Sequence, residues 1–451
     1  MQDAVKKGRF IKLHIGFDDT DSPRMGCTTY VAALLVEKLC ELGVSFLDYP
    51  NLVRLNPNVP WKTRGNGALC LRVQCPLELV EEIVGIVVDT VEENSDLGYA
   101  GTDPGAVFLF NDVPGEVRIF AKNTIQGLVK LDDALKLLTR FGGEAVGFKR
   151  GRGIIGGLAA VGETLEDDHT FEIIAYRTPE NRGTLRRLDN ASIVEMNEKM
   201  ADFTFNNVDS ETGRVLITPR GPDPILFGIR GESPEAVKQA FDMVRPEEEV
   251  ERWGVFRTNH GTDAHLRTIK AISEMQPFNP VIVRGTVDSE PRVIPGSHVI
   301  FSVKDETGRV DCAAYEPTGG LRKVAKSLIS GDFMEVYGGV RPASSKNPIT
   351  VNLEKLRVLK LAPKIVFHNP LCPECGKRMK SMGKDKGFRC DKCGFRDSKL
   401  KKLAVENERL LKRGLYVTPP RSQRHLTKPL CRYGKEKSKA PKEIIRGWHF
   451  P

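Results

Sequence analysis

The segment His14-Ile15-Gly16-Phe17-Asp18-Asp19-Thr20-Asp21-Ser22 lies near the N-terminus, and Gly26-Cys27-Thr28-Thr29 follows it closely. Alternating, partly β-branched residues over 11–17 predict a strand, and apolar residues at helical spacing over 28–42 predict a helix. The carboxylates between these two elements belong to Asp18, Asp19 and Asp21. Because burying unpaired charges is costly, we expect these side chains at the open end of the strand.

Two interpretations fit this acidic turn. Carboxylate oxygens are ligands that Mg²⁺ prefers, and the N-terminus of the following helix suits a phosphate group. In the alternative, the turn is solvated and Thr28 is simply the N-cap of the helix. The spacing alone leaves both interpretations open.

The charge of the chain is distributed unevenly. The net charge of the 451 residues is +9, but residues 363–451 contain 24 basic and 8 acidic residues, a net charge of +16. The remainder carries a net charge of −7. A mildly acidic body with a basic C-terminal part indicates a polyanionic partner held by that part.

The cysteines and the apolar runs indicate where the protein works. Four of the ten cysteines fall in one metal-type motif, and the other six show no disulfide framework. We therefore expect a cytoplasmic protein in a reducing environment. No signal core occupies the first ten residues, and the longest apolar run, 30–36, is too short to span a bilayer, so no membrane partner is expected.

Two basic, glycine-containing loops are candidate phosphate sites. The first reads Lys149-Arg150-Gly151-Arg152-Gly153-Ile154-Ile155-Gly156-Gly157, and the second, weaker candidate reads Lys62-Thr63-Arg64-Gly65-Asn66-Gly67. Glycines let backbone N–H groups approach an anion, and the cationic side chains add charge. The first loop lacks the Gly-Lys-Ser/Thr ending of a P-loop. Ordinary basic turns are the alternative.

Two smaller units follow. A strand-helix-strand pattern between 224 and 258 indicates a ferredoxin-like module within 200–273. Residues 281–361 contain five predicted strands, with a helix over 321–329 between the third and fourth. This is the order of an OB fold, which commonly binds single-stranded or structured nucleic acid, and another small barrel is the alternative.

The segment 259–265 joins these two units. His260, Asp263 and His265 could bind a metal, but a polar hinge between domains is the preferred interpretation.

The strongest motif consists of two CxxC pairs. Cys372 and Cys375 are followed, fourteen residues later, by Cys390 and Cys393, the spacing of a zinc ribbon. Four thiolates complete a tetrahedron around Zn²⁺ and leave no open position, so the site is predicted to be structural. Four free thiols are the alternative.

Basic and aromatic residues are interleaved beyond the ribbon, in 416–433. They are Tyr416, Arg421, Arg424, His425, Lys428, Arg432 and Tyr433. This pattern predicts an arm that follows phosphates and stacks on bases. A solvated tail is the alternative.

In this order the motifs resemble one known family. They are Phe17-Asp18-Asp19-Thr20-Asp21-Ser22, Cys27-Thr28-Thr29-Tyr30, Thr63-Arg64-Gly65-Asn66-Gly67-Ala68, Gly151-Arg152-Gly153 and Gly228-Ile229-Arg230-Gly231-Glu232-Ser233, followed by the OB and ribbon patterns. The chain resembles the archaeal tRNA 2-agmatinylcytidine synthetases, the TiaS family, over nearly its whole length. The resemblance implies an α+β multidomain fold with a kinase-like α/β domain (11–199), a ferredoxin-like module (200–273), an OB-fold β barrel (274–362), and a zinc ribbon with a basic tRNA-binding tail (363–451).

The resemblance also implies an activity. That family joins agmatine to the wobble cytidine of the isoleucine tRNA with a CAU anticodon, and converts ATP to AMP and phosphate. Carried onto this chain, Asp18, Asp19 and Asp21 would hold Mg²⁺ and position ATP. Thr28 matches the threonine that becomes phosphorylated.

We assign further residues on chemical grounds. Arg64, Gly65, Asn66, Lys149, Arg150, Gly151 and Arg152 are the ATP-binding candidates, and Asp223, Phe227 and Glu232 are the agmatine-binding candidates. Two other classes of protein remain possible from sequence. One is a nucleotide-dependent RNA- or DNA-binding factor without ligase activity, and the other is a metal-dependent phosphohydrolase built on the aspartates.

Overall fold

Most strands between residues 10 and 258 form one mixed sheet with helices on both faces. The computed structural model describes residues 10–63, 65–345, 347–441 and 443–451. In chain order the elements are β1 (Phe10–Asp18), α1 (Thr28–Glu41), β2 (Ser45–Phe46), β3 (Asn51–Arg54), β4 (Gly67–Pro76), α2 (Val80–Glu93), β5 (Gly105–Phe110), α3 (Gly115–Gln126), α4 (Leu131–Arg140), β6 (Glu144–Gly147), α5 (Gly153–Gly162), β7 (Thr170–Arg177), α6 (Asn190–Lys199), β8 (Thr204–Phe205), β9 (Ile225–Gly231), α7 (Pro234–Met243) and β10 (Val250–Thr258).

Strand β1 lies in the interior of this sheet, as its apolar alternation predicts. It pairs antiparallel with β4 and with β5, in the order β6-β5-β1-β4-β3-β10-β7-β9-β8. Its side chains Leu13, Ile15 and Phe17 are fully buried beneath α1 and α2, while α3, α4 and α5 cover the opposite face. Strands of the first predicted domain and of the ferredoxin-like module therefore share one sheet. They are joined by the parallel pair β3–β10 and by the antiparallel pairs of β7 with β9 and β10. The boundary at 199/200 stays a prediction.

Helix α5 lies in backbone contact with β1. A Cβ atom at Gly16 would lie 2.1 Å from the carbonyl oxygen of Gly157, and one at Gly156 would lie 1.9 Å from Oδ2 of Asp18. Only glycine permits so close an approach. The glycines at 153–157 thus pack the helix on the strand, which is a role that the phosphate-loop interpretation did not include.

The second half contains a small barrel and the ribbon. Its elements are β11 (Pro280–Ile294), β12 (His298–Lys304), β13 (Arg309–Ala314), α8 (Gly320–Lys326), β14 (Phe333–Arg341), β15 (Thr350–Lys360), β16 (Lys364–His368), β17 (Lys380–Ser381), β18 (Phe388–Arg389), β19 (Arg396–Asp397), β20 (Leu403–Asn407), β21 (Gly414–Val417) and β22 (His449–Phe450). Strands β11 to β15 form a barrel closed by the parallel pair β13–β15, with α8 between β13 and β14. The OB-fold prediction is confirmed, and β21 adds a sixth strand beside β15.

Residues 418–451, here called the C-terminal strap, return to the first sheet. The strap ends in β22, which pairs with β10. Arg432 is fully buried and its guanidinium binds Asp168 at 3.0 Å and Glu232 at 2.7 Å. Lys428 binds Asp168 at 3.0 Å, and Arg421 binds Asp209 at 2.9 Å. The prediction that these three cations form an arm along phosphates is wrong, because carboxylates of the first sheet already neutralise them.

Within the described ranges, no helix combines the length and the apolar character needed to cross a lipid bilayer.

Replacing Gly16 by alanine tests the contact between α5 and β1. The added methyl group collides with the backbone of Gly157, so we expect a loss of about 1–3 kcal/mol or more in the free energy of unfolding. Gly85→Ala is the matched control, because Gly85 lies in α2 with nothing within 4 Å of its Cβ position. The Gly85→Ala variant should gain about 0.5–1 kcal/mol in the free energy of unfolding, because alanine favours a helix more than glycine does. Equal denaturant midpoints for the two variants would contradict the close packing.

Candidate active site

A cavity of about 440 Å³ opens where β1 ends and α1 begins. Residues of β1, α1, β3, β7 and β9 and of the C-terminal strap surround it. The polar residues that line it include Asp18, Asp19, Asp21, Thr28, Arg54, Lys62, Asn66, Arg152, Glu172, Asp223, Arg230, His260, Arg424 and His425.

The three aspartates form one wall of this cavity. Asp18 is the last residue of β1, and Asp19 adopts a left-handed conformation with φ of 63°. The guanidinium of Arg152 donates to Oδ2 of Asp19 at 2.8 Å, and the Asp19 side chain is only 13% exposed. At Asp19 the acidic turn is ion-paired and largely shielded from solvent, which does not fit the alternative of a solvated turn.

Burial controls the ionisation of this wall. Burial, together with the neighbouring Asp19, raises the pKa of Asp18 well above its ordinary value. Burial also raises the pKa of Asp19 to about 6, although Arg152 opposes the shift. A bound cation would favour the ionised form of both carboxyl groups.

Thr28 occupies the first turn of α1. Cys27, not Thr28, is the N-cap residue of this helix, so the N-cap alternative for Thr28 is wrong. The Thr28 side chain is buried against Thr20, whose Oγ1 donates to the Thr28 Oγ1 at 3.0 Å. The helix N-terminus, with its partial positive charge, thus lies on the cavity together with a hydroxyl group.

Only part of the first basic loop reaches the cavity. Arg152 lines it, whereas Lys149 donates to the carbonyl oxygen of Thr102 at 2.7 Å and Arg150 binds Asp103 at 2.8 Å. Gly151 forms the turn before α5, with φ of 62°. The structure therefore brings Arg152 to the acidic wall. Lys149, Arg150 and Gly151 do not line the cavity, and the two cationic side chains are bound to other protein groups.

The second basic loop contributes directly. Gly65 and Asn66 line the cavity, and the Asn66 amide donates to the carbonyl oxygen of Asn56 at 2.9 Å. Arg64 lies outside the described residues.

A cationic cluster forms another wall, and sequence reasoning missed it. Arg54 binds Glu172 at 3.4 Å, and Arg230 binds the same carboxylate at 3.0 Å. Burial alone would raise the pKa of Glu172, but Arg230, His260 and Arg54 lower it well below its ordinary value. These residues come from β3, β7, β9 and the hinge segment after β10, so no local motif joins them.

Of the three agmatine candidates, one reaches the cavity. Asp223 lines it and accepts from Arg186 at 3.1 Å. Phe227 is 1% exposed and stacks on Phe241 with ring centroids 5.4 Å apart, so it is a core residue. Glu232 is bound to Arg432 at 2.7 Å. The placement of Phe227 and Glu232 at an agmatine pocket is therefore not supported, because packing and ion pairing already engage them.

The hinge segment holds the barrel against the sheet. His265 Nε2 lies 3.0 Å from Oε2 of Glu354, and Asp263 binds Lys355, both on β15. Across the described residues, the one group of three or more His, Cys, Asp or Glu side chains whose ligand atoms lie within 4.8 Å is in the ribbon. The hinge interpretation of 259–265 therefore fits better than the metal interpretation.

The ribbon cysteines converge as predicted. Sγ of Cys372 lies 3.4 Å from Sγ of Cys393, and Sγ of Cys375 lies 3.4 Å from Sγ of Cys390. Four sulfur atoms this close together form the ligand set of a structural Zn²⁺.

A partly buried cavity with an acidic wall, a helix N-terminus and cationic residues, attached to an OB barrel and a zinc ribbon, defines a multidomain enzyme of nucleic-acid metabolism. Family models match along the chain in the same order. They describe a TiaS TCKD domain (14–85), a TiaS FLD domain (151–265), an OB-fold nucleic acid binding domain (281–359) and a TiaS C-terminal zinc ribbon domain (369–411).

Relatives and solved structures agree with these matches. The TiaS protein of Methanocaldococcus jannaschii, a 2-agmatinylcytidine synthetase named for the isoleucine-2 tRNA, is 42% identical over 93% of this chain and 98% of its own length. The Pyrococcus horikoshii protein of the same name is 42% identical over 93% and 96%. A complex of TiaS with the isoleucine-2 tRNA and ATP matches with a TM-score of 0.85, 40% identity and coverage of 94% and 97%. A complex of TiaS with the same tRNA, AMPCPP and agmatine matches with a TM-score of 0.82, 38% identity and coverage of 94% and 97%. The chain belongs to the TiaS family.

Removing one ribbon thiolate tests the zinc site. Cys372→Ser should release zinc and unfold the ribbon, because such modules rarely stay folded without metal. The distant cavity should still bind ATP. Cys431→Ser is the control, since Cys431 is exposed and lies outside the cluster. Zinc content by atomic absorption should fall only in Cys372→Ser, and a fully metallated Cys372→Ser protein would refute the four-thiolate assignment.

Proposed function

We propose that the chain ligates agmatine to carbon 2 of the wobble cytidine of the isoleucine tRNA with a CAU anticodon. ATP is converted to AMP and phosphate, and the product, 2-agmatinylcytidine, lets the tRNA read AUA. The observation that carries this proposal is the cavity in which the aspartates, Thr28 and the cationic cluster meet, in a member of the TiaS family. Relatives that share about 40% of its residues have been solved with the isoleucine-2 tRNA, ATP, AMPCPP and agmatine.

The chemistry requires an activated cytosine. The oxygen at carbon 2 must become a leaving group before an amine can replace it, and a phosphate attached to that oxygen serves this purpose. Arg152 and the first turn of α1 lie where they can bind the phosphates of ATP. Cationic donors fixed beside the reacting phosphate stabilise charge that develops during transfer.

The acidic wall supports a magnesium site. Asp18 and Asp19 are buried carboxyl groups whose pKa values are raised, and a bound cation would keep them ionised. The oxygens of Asp18, Asp19 and Asp21 are not all within 4.8 Å of one another. Mg²⁺ is usually held by one or two carboxylates together with substrate phosphates and waters, so this spacing fits. When bound, Mg²⁺ would neutralise phosphate charge.

The tRNA is assigned to the barrel, the ribbon and the cavity mouth. Six cationic residues crowd the ribbon surface, all of them exposed: Lys377, Arg378, Lys380, Lys384, Lys386 and Arg389. Trp61, Lys62 and Arg424 stand at the cavity, where an extruded base could stack and its phosphates could be bound. Asp223 stays the candidate partner for the agmatine guanidinium. A cytoplasmic location is part of the proposal, and the lack of a disulfide at any of the ten cysteines supports it.

One incubation separates the candidate activities. The protein is mixed with ATP and Mg²⁺, with and without CAU-anticodon tRNA and labelled agmatine, and the nucleotide products are resolved. The synthetase forms AMP only with tRNA and transfers label to it. A binding factor makes no AMP, and a phosphohydrolase cleaves ATP regardless of agmatine. Either of the last two results would overturn the proposal.

The role of Thr28 can be tested by removing its hydroxyl group. Thr28→Ala should abolish agmatine transfer and leave the fold and tRNA binding nearly intact, because Thr28 makes no cap of α1. Thr28→Ser should retain part of the activity. After incubation with ATP, mass spectrometry should detect one added phosphate on the peptide around residue 28. The Asp19→Asn substitution should prevent this phosphorylation. Thr139→Ala, on the exposed face of α4, is the control. Normal transfer by folded Thr28→Ala protein would rule out a phosphoacceptor.

A further inference from the structure

Arg54 and Arg230 share a single carboxylate. Both bind Glu172, whose side chain is 3% exposed, while the Arg54 and Arg230 side chains are 12% and 17% exposed. In the part of the chain that the structure describes, neither guanidinium forms an ion pair with any other acidic residue. Nε of Arg54 is buried and has no hydrogen-bond partner there. The two guanidinium groups are therefore only half neutralised.

Two histidines complete the cluster without changing its charge. His260 Nδ1 lies 3.4 Å from Oε2 of Glu172, and the His425 ring lies 5.0 Å from that of His260. Burial, together with Arg230, lowers the pKa of His260 to about 4. Arg54 and burial lower the pKa of His425 well below its ordinary value. Both rings are neutral at pH 7, and the cluster carries a net charge of +1.

The cluster lies on the same cavity as the first turn of α1. Arg54, Arg230, His260 and Thr28 all line that cavity. Burial lowers the pKa of Arg54, and the carboxylate of Glu172 opposes this shift. The unpaired positive charge and the positive end of the helix therefore converge on one region.

The structure assigns to Arg54 and Arg230 an anion subsite that takes a phosphate group. A buried charge without a counter-ion is strongly unfavourable, and the fork of a guanidinium matches two phosphate oxygens. The phosphate has two possible sources, the RNA backbone beside the reacting nucleotide and the phosphoryl group that leaves the activated cytidine. The role of this phosphate in ligation rests on the proposed function, whereas the subsite itself does not.

The affinity for inorganic phosphate tests this subsite. It is measured by titration calorimetry on the full zinc-loaded chain, without Mg²⁺ and without a chelator. Arg54→Gln and Arg230→Gln should each weaken phosphate binding about tenfold or more, the order expected for a charge-assisted hydrogen bond. Glu172→Gln should tighten it, because the cluster then carries one more positive charge. Arg245→Gln is the matched control, because it removes an exposed guanidinium that binds Asp189, the N-cap residue of α6, and does not line the cavity. Equal affinities for Arg54→Gln, Arg230→Gln and Arg245→Gln would overturn the subsite.

Folding is checked by the thermal unfolding midpoint of each variant. If Arg54→Gln lowers that midpoint, Arg54→Lys is used instead. Lysine keeps the positive charge but lacks the forked guanidinium, so a weakened phosphate affinity is still expected. Unchanged affinity in a folded Arg54→Lys protein, together with unchanged affinity in Arg230→Gln, would also overturn the subsite.

Measurements of tRNA binding and of agmatine transfer identify the source of the phosphate. If the RNA backbone fills the subsite, Arg54→Gln should weaken tRNA binding and lower its log-log salt slope by about 1. If the leaving phosphoryl group fills it, tRNA binding should stay normal while agmatine transfer falls. Either result supports the subsite, and unchanged tRNA binding with unchanged transfer would count against it. Phosphate titration does not require ligase activity, so failure of the proposed function would be seen separately.

Discussion

The contact between the backbones of α5 and β1 holds the candidate active site together. Because Gly16 and Gly157 meet without side chains, the helix lies directly on the strand, and Asp18 fits over Gly156. The end of β1 and the start of α5 are thereby fixed against each other, which places Asp19 and Arg152 within hydrogen-bond distance. Groups held by regular elements in this way are pre-organised for chemistry.

Buried ion pairs and a buried hydrogen bond attach the remaining parts to this centre. Glu354 and Lys355 of the barrel bind the hinge, and Arg432 of the C-terminal strap binds Asp168 and Glu232 of the first sheet. Such pairs lose hydration on burial, so their contribution to the free energy of unfolding is smaller than their number indicates. Their geometric demands nevertheless fix one position of the strap. The barrel and the strap thereby present Arg424 and His425 to the cavity.

Local patterns predicted much of this structure. The strand at 170–177, the barrel strands and the zinc ligands follow from alternation and spacing, which depend only on neighbouring residues. The sequence did not predict that Arg54 and Arg230 both bind Glu172, because the three residues lie on strands that are far apart in sequence. The tail was misinterpreted for the same reason, since its basic residues meet carboxylates about 200 positions away or more. Phe227 was chosen for its chemistry, and its burial depends on tertiary packing that the sequence does not display.

The central claim is that one cavity activates the wobble cytidine and exchanges its oxygen for agmatine. Nucleoside mass spectrometry of the anticodon loop tests it most directly. The protein is incubated with ATP, Mg²⁺, agmatine and either CAU-anticodon tRNA or the same tRNA with uridine at the wobble position. The account predicts 2-agmatinylcytidine at the wobble position of the first tRNA and no modified nucleoside in the second. An unmodified cytidine after full ATP turnover, or agmatine attached elsewhere in the loop, would contradict it.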